Sequence, residues 1–298
     1  MIAPSTLAIL FVVAPIAAVA QGSSTSSSHL KLPVTARSAA LGEGTVADPG
    51  QLSSWLLNPA NLYYTEPDFI NLTHAAWIQE VQGEHLSGRF SLASGSMGVA
   101  VSATSVPGIE IRDVPGPPVG TFSARFATFQ LGYAQRILDD VVLGASSKYL
   151  YEKIYKHEAT GFGVDVGITY RTPIRGFSAA FAVTNLGSLG QFRDQGSDLP
   201  GFTRLGASYS SQYDDFDYLI STAWAQSLRF YESHLQASLE ASYKRTMTAR
   251  FGYQTGYDSR GLSAGIGFRY EFIQFDYAYV PFSLALGDGH LFSLGFRF

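Results

Sequence analysis

The stretch Gly289-His290-Leu291-Phe292-Ser293-Leu294-Gly295-Phe296-Arg297-Phe298 closes the chain with a strict alternation of side chains. Every even position from 292 to 298 is phenylalanine or leucine, whereas the odd positions are small or charged. A period of two predicts a strand with one apolar and one polar face. A soluble sheet protein rarely exposes a terminal phenylalanine, but the outward face of a bacterial outer-membrane barrel meets lipid. This stretch therefore predicts the closing strand of a transmembrane β-barrel.

The start of the chain carries features of an export signal. An apolar run from Leu7 to Ala20 ends in the small-x-small pattern Ala18-Val19-Ala20, ahead of Gln21. This run is shorter than the roughly 20 residues of a membrane-spanning helix. Residues 1–6 contain no Lys or Arg, so either the true start lies upstream or the signal is atypical. We expect residues 1–20 to be a signal peptide, cleaved on export through the inner membrane to a Gram-negative-type outer membrane.

The composition agrees with a barrel and excludes other classes. The chain has 17 Tyr, 21 Phe and 3 Trp, which suits the aromatic girdles of a membrane barrel. It has no cysteine, which excludes a disulfide scaffold and a thiolate metal site. Its net charge of -4 argues against a nucleic-acid partner. We expect membrane lipid as a partner and no cofactor.

Alternating segments of barrel length divide residues 68–298 into an all-β, 14-stranded antiparallel barrel. A barrel strand crosses the bilayer in about 9–11 residues. The predicted strands are 69–79, 84–93, 96–105, 122–136, 140–151, 159–171, 176–185, 201–210, 216–226, 233–244, 247–257, 261–270, 272–280 and 289–298. The apolar parity switches near Glu271, which requires a turn or a bulge, and we predict a turn. All thirteen prolines fall outside the predicted strand interiors, where they would remove a ladder hydrogen bond.

An even strand number places both ends of the barrel in the periplasm. The predicted outer loops include 106–121, 186–200 and 281–288, whereas the predicted inner turns at 94–95, 137–139, 172–175 and 245–246 are short. The remaining outer loops are modest, so we expect no large surface domain.

The segment before the barrel does not alternate. We divide it into a polar leader at 21–31 and a plug-like segment at 32–67. The Ala-rich stretch from Ala36 predicts a short helix that glycine stops at Gly42. An apolar segment containing Trp55 and Leu62 would be poorly placed in the periplasm. We therefore expect residues 21–67 to form a leader and an N-terminal hatch, with short helices, inside the barrel.

Several motifs resemble one family of outer-membrane proteins. They are Ala36-Arg37-Ser38-Ala39-Ala40-Leu41-Gly42, then Asn58-Pro59-Ala60 with Leu62, and Leu143-Gly144-Ala145-Ser146-Ser147-Lys148-Tyr149 followed by Gly163 to Tyr170. In combination they resemble the PorV/PorQ family and, beyond it, the FadL-type transporters, over essentially the whole mature chain. The resemblance implies a 14-stranded barrel with an N-terminal hatch, whose motif residues here are Arg37, Gly42, Asn58, Pro59 and Ala60. The short predicted outer loops differ from those of the larger family members.

A set of charged residues falls on the lumen-facing positions of the predicted strands. They are Arg89, Lys148, Asp165, Arg171, Arg204, Glu240, Lys244, Arg250, Arg269, Asp276 and Arg297. Buried charges must pair or meet water. The set is therefore either a selective pore lining or a structural network that holds the hatch, and we favour the network.

Other residues that could carry chemistry have structural interpretations. The six histidines are scattered, no nucleophile motif flanks a serine, and we expect no enzyme activity. The acidic run Asp214-Asp215-Phe216-Asp217 lacks the spacing of a calcium loop and predicts a solvated turn. Glycines such as Gly163 and Gly265 at lumen-facing positions leave room for a plug or for strand curvature. Asn58-Pro59-Ala60 either gates the hatch or simply forms a turn.

Two functional hypotheses follow from the resemblance. The first is a non-enzymatic accessory of protein secretion or surface attachment, of the type IX kind. Its partners would be secretion-machinery subunits or exported cargo proteins. The second is a FadL-like gated channel for small hydrophobic compounds. A channel requires an apolar cavity beside the hatch, whereas an accessory requires an exposed patch for its partner.

Overall fold

The computed structural model describes residues 27–48, 54–64, 67–112, 114–192, 195–230 and 232–298. The expected signal peptide at 1–20 lies outside these residues. Among the described residues, no helix is long and apolar enough to cross a membrane.

Antiparallel strands make up most of the described chain. They are β1 (Phe69–Ala76), β2 (Gln82–Leu92), β3 (Gly95–Ile111), β4 (Gly120–Leu138), β5 (Val141–Ile154), β6 (His157–Arg171), β7 (Phe177–Phe192), β8 (Gln195–Asp198), β9 (Phe202–Tyr213), β10 (Phe216–Ser227), β11 (Ser233–Tyr243), β12 (Met247–Gln254), β13 (Leu262–Tyr270), β14 (Ile273–Pro281) and β15 (Asp288–Arg297). Apart from β8, consecutive strands pair with each other, with β7 paired directly to β9, and β1 pairs with β15. These pairings close a 14-stranded barrel, and β8 is a short extra strand that pairs only with β7. The predicted fold class, a barrel with an N-terminal hatch, is confirmed.

The two faces of the wall follow the alternation of the sequence. In β15, Phe292 and Leu294 are 43% and 36% exposed on the outer face, whereas Ser293 is 2% exposed and faces inwards. Leu72 on β1, which pairs with Leu294, is also exposed on the outer face. The predicted turn at the parity switch is confirmed. Glu271 has a φ of 50° between β13 and β14, so a turn changes the face of the following apolar residues.

The ends of the barrel differ. The terminus end carries the start of β1 and the end of β15, and short turns such as 214–215 join the strands there. The loop end carries longer connections, including 114–118 and 282–287. The acidic run at 214–217 spans the predicted turn, and Asp215 and Asp217 pair with Lys244 and Arg245.

Two predicted loops are shorter than expected. β3 continues to Ile111 and β4 begins at Gly120, and β7 with β8 covers most of 186–200. As a result Pro107 lies inside β3, contrary to the prediction for prolines. It sits where the register of β3 on β4 shifts between Val106 and Ile109. A bulge leaves residues out of the ladder, so the missing N–H of proline costs nothing there.

Candidate functional site

The described hatch residues, 27–48 and 54–64, extend across the lumen from the loop end to the terminus end. Near the loop end, Leu30 packs against Leu150, Leu189 and Leu199. Near the terminus end, Trp55 and Leu62 are fully buried against the wall. The hydrophobic core of this protein therefore lies between the hatch and the inside of the barrel.

The first half of the hatch is a single helical turn seated on the wall. Helix α1 (Ala36–Ala40) begins after Thr35, whose side chain accepts a hydrogen bond from the Ser38 amide at 3.2 Å. The predicted helix and its glycine stop are confirmed, since Gly42 follows with a φ of 58°. Ala40 lies directly over Gly265, where a Cβ would meet it at 2.5 Å. Glycine on β13 thus makes room for the helix, as the sequence predicted for Gly265.

A buried network of ion pairs ties this helix to three strands. The Arg37 guanidinium donates to Asp48 of the hatch and to Glu240 of β11, both at 2.8 Å. Arg250 of β12 then contacts Glu240 at 2.6 Å and Asp276 of β14 at 2.7 Å. All five residues are less than 9% exposed. This network, which we call the latch, favours the interpretation of these lumen charges as the fastening of the hatch.

The Asn58-Pro59-Ala60 motif packs the second half of the hatch onto β5 and β6. The Asn58 side chain donates to the Thr169 hydroxyl at 2.9 Å and to the Val46 carbonyl at 3.1 Å. Its Oδ1 accepts from the Ala60 amide at 3.1 Å, which is the turn predicted for Asn before Pro. A Cβ on Gly144 would overlap the backbone of Pro59 and Ala60, so glycine is required for this contact.

The other predicted lumen charges occupy separate places. Arg89 binds Asp68 at 2.6 Å and the Leu62 carbonyl at 3.1 Å, so it anchors the terminus end of the hatch. Lys148 pairs with Asp165 at 2.9 Å beside a bulge in β7, where Asp165 also accepts from the Asn185 amide.

At the rims, Arg171 stacks over Tyr64 of the hatch at 3.7 Å, and Arg204 lies 5.2 Å from the Phe202 ring. Arg269 and Arg297 converge on the side-chain oxygen of Gln274. Lys244 was assigned wrongly. It lies just after β11 in an exposed turn, because the strand ends one residue earlier than predicted.

The leader residues close the loop end of the lumen. His29 stacks on Phe126 at 4.9 Å and contacts the Thr128 hydroxyl at 3.3 Å, and the Ser27 hydroxyl donates to Glu152. Burial, and then the charge of Lys148, lower the pKa of His29 to about 4. The ring is therefore neutral at pH 7, and its 3.8 Å approach to Glu152 is not an ion pair there.

This pKa predicts a pH dependence of the leader. His29 binds a proton more weakly when it is seated than when it is free in solution. Lowering the pH from 6.5 towards 4 should therefore favour release of the leader, by on the order of 3 kcal/mol. Hydrogen exchange of amides 28–34, corrected for the intrinsic pH effect, measures this. The His29→Gln variant should lose the dependence, and an unchanged dependence in that variant would rule out His29 as its source.

Two cavities lie on either side of the hatch. The vestibule, at the terminus end, has a volume of about 910 Å³, and Asp48 lies at its inner limit. Its lining is largely polar and includes the charged residues Arg175, Arg245, Arg250, Arg269, Asp217 and Glu240. The loop-end cavity has a volume of only about 100 Å³. Its lining combines apolar residues, including Leu30, Val34, Leu56 and Trp77, with the polar residues His29, His85, Thr184 and Arg204.

Each of these four polar residues has a buried atom without a hydrogen-bond partner in the described part of the chain. The atoms are His29 Nδ1, His85 Nε2, Thr184 Oγ1 and Arg204 Nε. Buried polar atoms are normally satisfied, so water or a polar group of a ligand fits at this position.

Several solved structures share this architecture. The Pseudomonas putida toluene transporter TodX has a TM-score of 0.61 and 12% identity, over 88% of this chain and 96% of that one. The Ralstonia pickettii toluene transporter TbuX has a TM-score of 0.58 and 13% identity, over 89% and 98%. A Pseudomonas aeruginosa FadL homologue has a TM-score of 0.59 and 12% identity, over 89% and 98%. This chain has the FadL-like barrel fold. No protein-family profile and no curated protein matches it.

The sequence identified Arg37 and the Asn58-Pro59-Ala60 motif as hatch residues of this FadL-like fold. It did not identify the residues that they contact. Asp48 was not singled out, although Glu43 and Asp48 are the only acids between positions 32 and 65. Gly144, quoted only within a family motif, and Gly252 were not predicted to receive the hatch. Their position on the lumen-facing side of a strand was the sequence feature that could have identified them as contacts of the hatch. Among the described residues, no group of three or more acidic or histidine side chains could hold a metal ion.

Proposed function

We propose that this protein is a gated outer-membrane channel for small hydrophobic compounds, in which the hatch must move for the compound to pass. The observation that carries the proposal is the partly apolar loop-end cavity, which lies directly against the leader and the hatch. A channel of this kind needs such a cavity on its entry side. Two of the proteins with a similar fold are described as toluene transporters, which supports the same reading.

The size and lining of the cavity indicate the kind of compound. A dry cavity of about 150 Å³ is known to admit benzene. The loop-end cavity, at about 100 Å³, is smaller, so even a one-ring compound requires Leu30 and its neighbours to shift. The unpartnered atoms of His85, Thr184 and Arg204 favour a compound with one hydrogen-bonding group beside its apolar body.

The secretion-accessory hypothesis has no comparable observation in its favour. The described connections at the loop end are longer than the turns at the terminus end but contain no large surface domain, and some, such as 155–156 between β5 and β6, are tight turns. They offer little surface for gripping cargo. The structural neighbours also favour the channel over the accessory. An affinity pull-down with a tag inserted within 114–118 would support the accessory if it recovered secretion-machinery subunits.

A reversible cross-link between hatch and wall tests the channel directly. A Cβ built on Gly206 lies 3.5 Å from the Ala47 Cβ, within the range of a disulfide. The chain has no native cysteine, so the double variant Ala47→Cys, Gly206→Cys forms one defined cross-link. We expect cells expressing the oxidised double variant to take up labelled toluene and p-cresol only at background rate. Reduction should restore uptake to the wild-type rate.

Each single cysteine variant is the matched control and should be insensitive to oxidant. Equal uptake by the oxidised and reduced double variant would show that the hatch does not gate the compound. Wild-type uptake no faster than that of cells lacking the protein, for both compounds, would contradict the channel itself for these compounds.

A further inference from the structure

The latch extends beyond its ion pairs to two further arginines at the terminus end. Asp276 accepts a hydrogen bond from Gln274 Nε2 at 2.7 Å. Gln274 Oε1 in turn accepts from Arg269 at 3.1 Å and from Arg297 at 2.9 Å. Arg269, Gln274 and Arg297 lie on adjacent strands β13, β14 and β15, close to the terminus end. One amide oxygen therefore receives two guanidinium groups.

These two arginines have no anionic partner among the described residues. Neither Arg269 nor Arg297 has a carboxylate within ion-pair distance, and both donate to a neutral amide oxygen. The Nε of Arg297 is buried and has no hydrogen-bond partner in the described part of the chain. Two like charges held this close repel each other unless an anion lies between them.

The whole extended cluster is one negative charge short. Its cations are Arg37, Arg250, Arg269 and Arg297, and its anions are Asp48, Glu240 and Asp276. Four guanidiniums therefore face three carboxylates. Arg269 lines the vestibule, which is large enough to admit a hydrated solute. The other acids of the vestibule do not fill the deficit, because Asp217 is paired with Arg245 and Asp214, on the β9–β10 turn, forms no ion pair with Arg269 or Arg297 in the described chain.

We propose that Arg269 and Arg297 form a binding site for a soluble oxyanion, a carboxylate or a phosphate, that enters from the vestibule. The planar forks of two guanidiniums match the oxygens of either group. Because the arginines face the lumen, the anion comes from solution and not from the lipid around the barrel. The bound anion completes the charge balance of the cluster and so stabilises the latch through Gln274 and Asp276. This inference is independent of which compound the channel carries.

The test is a titration of the full-length protein in detergent with sodium phosphate and, separately, sodium acetate. Sodium chloride at matched ionic strength is the reference. Isothermal titration should show saturable binding of at least one oxyanion, and the same anion should raise the thermal unfolding midpoint. Arg269→Gln or Arg297→Gln should weaken binding at least about tenfold, the factor that corresponds to losing one charge-assisted hydrogen bond. Arg175→Gln, on the same vestibule, is the control and should bind like the wild type.

A second variant tests the proposal even if Arg297 is needed for the barrel to assemble. Gln274→Glu places a carboxylate where the two guanidiniums converge. It should abolish oxyanion binding. The proposal is overturned if neither phosphate nor acetate binds more strongly than chloride. It is equally overturned if Arg269→Gln or Gln274→Glu binds the oxyanion as the wild type does.

Discussion

Replacing Arg37 by methionine should detach the first half of the hatch from the barrel wall. The substitution keeps an unbranched apolar stem but removes the guanidinium, and it leaves Asp48, which is 3% exposed, without its only ion-pair partner in the described chain. Breaking a buried pair from one side costs about 3–5 kcal/mol, because an uncompensated charge stays buried. Hydrogen exchange of amides 36–48 should accelerate by the corresponding factor, about 100-fold or more. Exchange in the barrel strands should change little.

Two variants control this prediction. Arg245→Met removes an exposed partner of Asp217 and should change hatch exchange by less than about 1 kcal/mol. The double variant Arg37→Met, Asp48→Asn removes the stranded charge and should recover much of the protection. Slow exchange at 36–48 in Arg37→Met would show that the latch does not hold the hatch.

Adding one methyl group at Gly144 should displace the second half of the hatch. The new Cβ would overlap the backbone of Pro59 and Ala60, which cannot rotate away as a flexible side chain could. Alanine in place of glycine within a strand is otherwise favourable by about 0.5–1 kcal/mol. We expect the opposite sign here, a loss of about 3 kcal/mol, at the upper end for overpacking. The measurement is exchange of amides 58–64 together with the conductance of single barrels in a planar bilayer.

The matched control is Gly120→Ala on β4, where the nearest atom to a new Cβ is 3.9 Å away. It should leave exchange of the hatch and conductance unchanged. Gly167→Ala, whose Cβ would overlap the Asn58 side chain, should reproduce the Gly144→Ala phenotype from the neighbouring strand. Protection of 58–64 in both Gly144→Ala and Gly167→Ala would contradict the close seating of the motif.

Much of this structure could be predicted because its signals are local. The alternation at 289–298 identifies a lipid-facing wall, and the parity switch at Glu271 identifies a turn, since both depend on neighbouring residues only. The break in alternation at 32–67 similarly identifies a segment that is not wall. Pro107 and Gly108 led to the prediction that the strand ends at position 105, because these residue types usually end strands. In the structure a bulge in the β3–β4 pair accommodates both.

The sequence by itself determined the barrel, its inner and outer faces and the presence of a hatch. The strand alternation and the glycine that ends the short helix are both patterns among neighbouring residues, so they can be recognised without the structure. Only the tertiary structure decided which groups meet inside. Arg37 and Glu240 are 203 positions apart, and Asn58 and Thr169 are 111 apart. Such pairs depend on how the closed ring staggers its strands and on the path of the hatch across the lumen. No local sequence pattern encodes the stagger of the strands or the path of the hatch. The two-residue alternation shows only that a side chain faces inwards, and it is the same whichever partner that side chain contacts.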